Sequence, residues 1–181
     1  MRMVEVIDKN IITYSPQFVR ETVFKKLVNI AKKAPAPLVL YEGFRTLEKQ
    51  TEMFEKQKNI LKKEYPELDE NGLCELTNKY VAIPERAVHV TGGAVDVSLK
   101  GFDMGTEYLC FDGCQTTIYY DGKDEKISKN RKILCDLMQE EDFVNFYNEW
   151  WHFEYGVSLW NKKYNCEPIY GIVKNLKEEI V

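Results

Sequence analysis

His89-Val90-Thr91-Gly92-Gly93-Ala94-Val95-Asp96-Val97-Ser98-Leu99 is the stretch on which the reading of this chain turns. Residues 94–99 alternate and are rich in valine, which predicts a strand with Ala94, Asp96 and Ser98 on one face and Val95, Val97 and Leu99 on the greasier one. The glycine pair before it marks a tight turn. Such a turn lets a loop histidine fold back over a strand aspartate, a meeting that a single helix would suit less well.

Upstream, Ser15-Pro16 reads as a helix cap with proline at the first helical position, and Phe18, Val19, Val23, Leu27, Ile30 and Ala31 recur at helical spacing to about Lys33. Pro35 and Pro37 break that helix. Residues 38–41 then form a short apolar strand ending at Gly43, with Arg45 just beyond it. Thr46 caps a second helix through Lys63, which Pro66 stops, and a third, shorter helix is expected around residues 72–80. Ile83-Pro84 opens an irregular segment leading into His89. Downstream, residues 110–123 read equally as a hairpin or as an exposed excursion. Ser128 caps a helix through Glu140, and residues 151–155 return as a strand. With no repeat and no domain-separating linker, the expectation is a single α+β domain over residues 1–181, its helices packed around a small, mainly antiparallel sheet. The candidate site falls at strand ends and loops.

Composition narrows the function classes. In 181 residues, 44% apolar and 13% aromatic content indicate a packed globule, and 25 basic against 29 acidic residues give no reason to expect nucleic acid or an anionic membrane as partner. The first residues reach an acidic side chain too soon for a secretory signal, and no apolar run approaches the ~20 residues that span a bilayer. A soluble cytoplasmic protein acting on a small molecule is the expectation. Five cysteines, an odd number without scaffold spacing, favour reduced thiols. Cys110 and Cys114 lack the second pair that a structural zinc site needs.

Both histidines of the chain sit in short motifs, His89 before the glycine turn and His152 in Glu149-Trp150-Trp151-His152. A catalytic zinc takes three protein ligands and leaves the fourth position to water, and His89, Asp96 and His152 supply such a set. Glu149 and His152, three apart, point to opposite sides of an ideal strand, so they converge only if Glu149 lies on the turn entering it. Glu149 is then the general base and acid, and Arg45 is suited to hold an oxyanion with its always-charged fork of donors. Taken singly, a histidine beside aromatics is usually a packed or surface residue, and an arginine after a strand usually a surface ion pair. Together, with no histidine left over, the motifs point to one metal ion.

His89-x-x-Gly92-x-x-x-Asp96, followed late in the chain by Glu149-Trp150-Trp151-His152, resembles the signature of the zinc D,D-peptidases. Gly43-Phe44-Arg45 and Asp103-Met104-Gly105-Thr106 are similar to segments of their D-alanyl-D-alanine dipeptidase, VanX-like, branch. The resemblance implies His89, Asp96 and His152 as zinc ligands, Glu149 as catalytic base, Arg45 as transition-state stabiliser and Asp103 as partner of the dipeptide ammonium. It implies a small closed cavity for D-Ala-D-Ala or a close D,D-dipeptide. The rivals are a D,D-carboxypeptidase acting on cell-wall peptides and a catalytically silent zinc-binding module. Where the family commonly has serine two positions before the metal histidine, this chain has Ala87, which leaves the dipeptide preference open. No motif is assigned beyond Tyr155, and that segment is read as packing.

Overall fold

A computed structural model describes residues 2–180. In chain order the elements are β1 (Met3–Glu5), β2 (Ile11–Thr13), β3 (Phe18–Arg20), α1 (Glu21–Lys33), β4 (Leu38–Glu42), α2 (Leu47–Glu64), α3 (Glu70–Thr77), two 3-10 turns (Pro84–Arg86 and Val88–Thr91), β5 (Ala94–Leu99), α4 (Glu125–Glu140), β6 (Val144–Asn145), β7 (His152–Glu154), α5 (Ser158–Tyr164) and α6 (Leu176–Glu179). The main sheet runs β2-β4-β5-β7-β6, and only its β2–β4 pair is parallel. The α+β architecture and mainly antiparallel sheet expected from the sequence are what the chain adopts. Among the described residues no helix is long and apolar enough to cross a membrane.

One apolar cluster unites the layers. Val23, Leu27, Ile30 and Ala31 of α1 and Leu134 and Met138 of α4 pack on Leu38, Leu40, Val95, Val97 and Phe153 of the sheet. Each is close to fully buried. At about 25 cal/mol per Å² of apolar surface, burial of this kind is the main favourable term in holding the sheet against its helices.

Several boundaries differ from the sequence expectation for local reasons. Phe18 and Val19 are not helical, because β3 pairs antiparallel with β1 and Val19 faces Val4; α1 starts only at Glu21. Helix α4 begins before Ser128, since the Asp124 carboxylate accepts from the backbone N–H groups of Lys126 and Ile127. Helix α3 is capped by Asp69 and ends at Thr77. All six residues of β5 are buried, so the Ala94, Asp96 and Ser98 face is covered as well as the valine face. Strands β1, β2 and β6, of two or three residues each, are too short to carry a readable alternation.

The stretch at 110–123 is an excursion of turns, not a hairpin. Arg131 of α4, 1% exposed, ties it down by donating to the carbonyls of Met104 (2.8 Å), Thr116 (2.6 Å) and Cys114 (3.0 Å). Three backbone oxygens thus accept from that guanidinium, which also lies over the Tyr120 ring at 4.8 Å. The segment after Tyr155 does pack, through buried Tyr170 and Val173.

Replacing Arg131 with leucine strands three carbonyls and unmoors the excursion. We expect Arg131→Leu to lower unfolding stability by about 3 kcal/mol, read from urea denaturation midpoints at unchanged slope. A shift under about 0.5 kcal/mol would show that the excursion holds itself.

Candidate metal centre

Sheet register does much of the assembly. Asp96 of β5 lies directly between Glu42 of β4 and His152 of β7, so three polar side chains form one row across the sheet. His89 comes from outside that row, on the 3-10 turn Val88–Thr91. Gly92 caps this turn at φ 73°, in the left-handed region that favours glycine. Gly93 is needed for a different reason: a Cβ there would lie 2.7 Å from the Tyr155 carbonyl oxygen. The glycine pair therefore turns the chain and lets it press against the backbone just after β7.

Three donor atoms meet as a result. His152 Nδ1 lies 2.9 Å from Asp96 Oδ1, His89 Nε2 lies 3.3 Å from the same oxygen, and the two nitrogens are 3.2 Å apart. Tetrahedral zinc with bonds of about 2.0–2.1 Å spaces its ligands by about 3.3–3.4 Å, so this triangle has the right size. The outward nitrogens have partners of their own. His89 Nδ1 donates to the Gly43 carbonyl oxygen at 2.7 Å, and His152 Nε2 faces the Glu154 carboxylate at 3.6 Å, so each imidazole in its neutral form can turn a lone pair inward. Two lone pairs and a carboxylate oxygen converge in a space where the three residues are only 2–7% exposed. Such a cluster calls for a cation, and the donor set suits zinc.

The electrostatics agree. Burial by itself would raise the Asp96 pKa, yet the two imidazoles outweigh it and hold the carboxyl well below the usual range. Burial would likewise lower the His152 pKa, but its bond to Asp96 and the nearby Glu154 carboxylate push it up to about 10. Positive charge is thus favoured at the point where the donors face one another.

A cavity of about 490 Å³ opens beside the triangle and is lined by Arg45, Ala87, Glu149, Leu159 and Lys162 among others. Tyr80, Leu109 and Phe111 stand exposed at its border, so it is open to solvent rather than closed as the resemblance implied. Glu149 sits on the tight turn between β6 and β7, where its N–H donates to the Phe146 carbonyl, the position the spacing to His152 required. It is not one of the three converging donors. Burial pushes its carboxyl pKa up, against the pull of His152. The Trp151 indole N–H, buried without a well-formed hydrogen bond, lies near enough to favour the charged form.

Arg45 reaches the same cavity, aimed by a two-point contact with the Glu42 carboxylate and by a 2.6 Å bond to Gln50 Oε1. Gln50, 1% exposed, is in turn held by the Ala82 carbonyl. Asp103 is the residue the structure does not bring in. Its carboxylate accepts from the Gly105 N–H at 2.9 Å, closing a local turn, and it lines a separate recess with Tyr41, Ser98 and Glu107. Held by its own loop and exposed, it does not face the cavity that holds Glu149.

Four supporting residues went unread in the sequence: Glu42, Gln50, Tyr108 and Glu154. Only Glu154 carried a usable signal, two residues from His152 and hence on the same strand face. Tyr108 donates its hydroxyl to Asp96 Oδ2 at 2.9 Å, and nothing local marks it.

Comparison with known proteins gives concordant results. A curated D-alanyl-D-alanine dipeptidase from a Synechocystis sp. strain is 29% identical over 92 residues, covering 42% of this chain. That match spans 37% of the relative's own length, little more than a third. Among solved structures, the LdcB LD-carboxypeptidase aligns with a TM-score of 0.59 at 16% identity, covering 99% of this chain and 78% of that one. VanYB in complex with D-alanine-D-alanine aligns at 0.51 and 18% identity, covering 82% and 78%. These likenesses are of fold. The model of the family described as D-ala-D-ala dipeptidase matches residues 19–169, a span that takes in the strand row, the glycine turn and the β6–β7 turn. By that match the chain belongs to the D-Ala-D-Ala dipeptidase family of M15 peptidases.

Proposed function

We propose that residues 1–181 act as one zinc-dependent D,D-dipeptidase domain, hydrolysing D-Ala-D-Ala or a close D,D-dipeptide. The observation that carries this reading is the buried triangle of His89, Asp96 and His152 opening onto a cavity that also presents Glu149 and Arg45. Those three residues would hold the ion. When bound, zinc supplies the Lewis acidity that makes water a usable nucleophile near neutral pH and polarises the scissile carbonyl.

The protein's own groups supply the rest. Glu149 takes a proton from the attacking water and delivers it to the amine as the C–N bond breaks, so one water is consumed per bond cleaved. Arg45, held by Glu42 and Gln50, offers its fork of donors to the carbonyl oxygen as that oxygen gains negative charge. Lys162 and Arg86 also line the cavity and suit the free carboxylate of the substrate. Ala87 adds no hydroxyl to that wall. Cytoplasmic residence is part of the reading, and five free cysteines are in keeping with it.

A second reading is favoured by one observation. With Asp103 outside the cavity, the carboxylates that line it are otherwise engaged, Asp96 and Glu149 in the reading above and Glu154 by the Leu159 N–H and His152, and a D,D-carboxypeptidase, whose substrate has an acylated amine, needs none for a free ammonium. The purely structural zinc module is disfavoured by Glu149, since a closed site has no use for a carboxylate beside it.

Two experiments separate these readings. Glu149→Ala should keep one zinc per chain by metal analysis while kcat falls by about 10²–10⁴; a variant that hydrolyses as the parent does removes Glu149 from the chemistry. Free D-Ala-D-Ala, its N-acetyl form and L-Ala-L-Ala should then be compared as substrates. The free D,D-dipeptide should have the highest kcat/KM, and preference for the acetylated form would transfer the assignment to the carboxypeptidase.

A further inference from the structure

We propose that Tyr108 is a positioning residue that keeps Asp96 a one-oxygen ligand and so preserves a free place on the ion. This rests on the zinc-hydrolase reading and concerns the same site. A carboxylate can offer a cation one oxygen or two, and the choice decides how many places remain for water and substrate. Here the two oxygens of Asp96 are divided. Oδ1 faces both imidazole nitrogens, at 2.9 and 3.3 Å, whereas Oδ2 accepts the Tyr108 hydroxyl at 2.9 Å.

The phenol is not free to leave. Its ring stacks on Tyr41 at 4.4 Å with planes 6° apart, and its edge meets Trp151 at 5.7 Å. Tyr41 belongs to β4, the neighbour of Asp96's own strand, so the clamp is braced by the sheet that carries the ligand. Beyond it, Leu109 takes φ 61°, an uncommon conformation for leucine, and lines the cavity on the other side. The loop thus sends one side chain to the back of Asp96 and the next to the cavity wall.

The test compares the parent with Tyr108→Phe and Tyr108→Leu after loading each with cobalt(II) as a spectroscopic substitute for zinc. The parent should bind one cobalt and show the intense visible bands of a four-coordinate ion. Both variants should show weaker, five-coordinate bands as Oδ2 swings onto the metal, with kcat on the zinc enzyme lowered about tenfold or more and KM little changed. Parent-like bands in Tyr108→Phe, with change only in Tyr108→Leu, would assign the residue to packing and overturn the proposal. Failure of the parent itself to bind cobalt would sink the metal reading instead.

Discussion

Two imidazole lone pairs and a carboxylate oxygen held within about 3 Å of one another, away from solvent, repel unless a positive charge lies between them. The rest of the molecule is arranged to make that arrangement possible. The sheet puts Asp96 beside His152 by register, a glycine turn delivers His89, and Gly43, Glu154 and Tyr108 occupy the outward-facing atoms. With the outward positions engaged, only the inward atoms remain to meet an ion. Hydrophobic burial holds the strands in place, and the polar row runs along the edge of that core.

Arg45 and Glu149 belong to the same plan by different routes. Glu42, in the row with Asp96, grips Arg45 on one side and Gln50 grips it on the other, so a flexible side chain reaches the cavity in a fixed direction. Glu149 depends on a turn only a few residues long between β6 and β7, which places a carboxylate near the donors without adding a fourth. The cost of burying these charges is offset by pairing them, and the pairing is also what orients them.

The convergence of His89, Asp96 and His152, the place of Glu149 on a turn, and strand β5 were legible because each rests on short-range information: a glycine pair, an alternation, a three-residue offset. Helix α2 was legible through its Thr46 cap. What could not be read needed partners distant in sequence. Phe18 and Val19 carry a helical spacing, and their pairing with Glu5 and Val4 decides otherwise. Tyr108 and Gln50 look like ordinary polar residues until Asp96 and Arg45 arrive beside them. Asp103 stands apart from the cavity because a short motif carries no direction, and the turn it closes with Gly105 holds it in a separate recess.

The central claim is that one divalent ion sits among His89 Nε2, His152 Nδ1 and Asp96 Oδ1. Anomalous diffraction at the zinc edge from crystals grown with zinc measures this most directly. The account predicts one strong peak about 2.0–2.2 Å from all three atoms. An empty triangle, or zinc seated instead on Cys110 and Cys114, would contradict it.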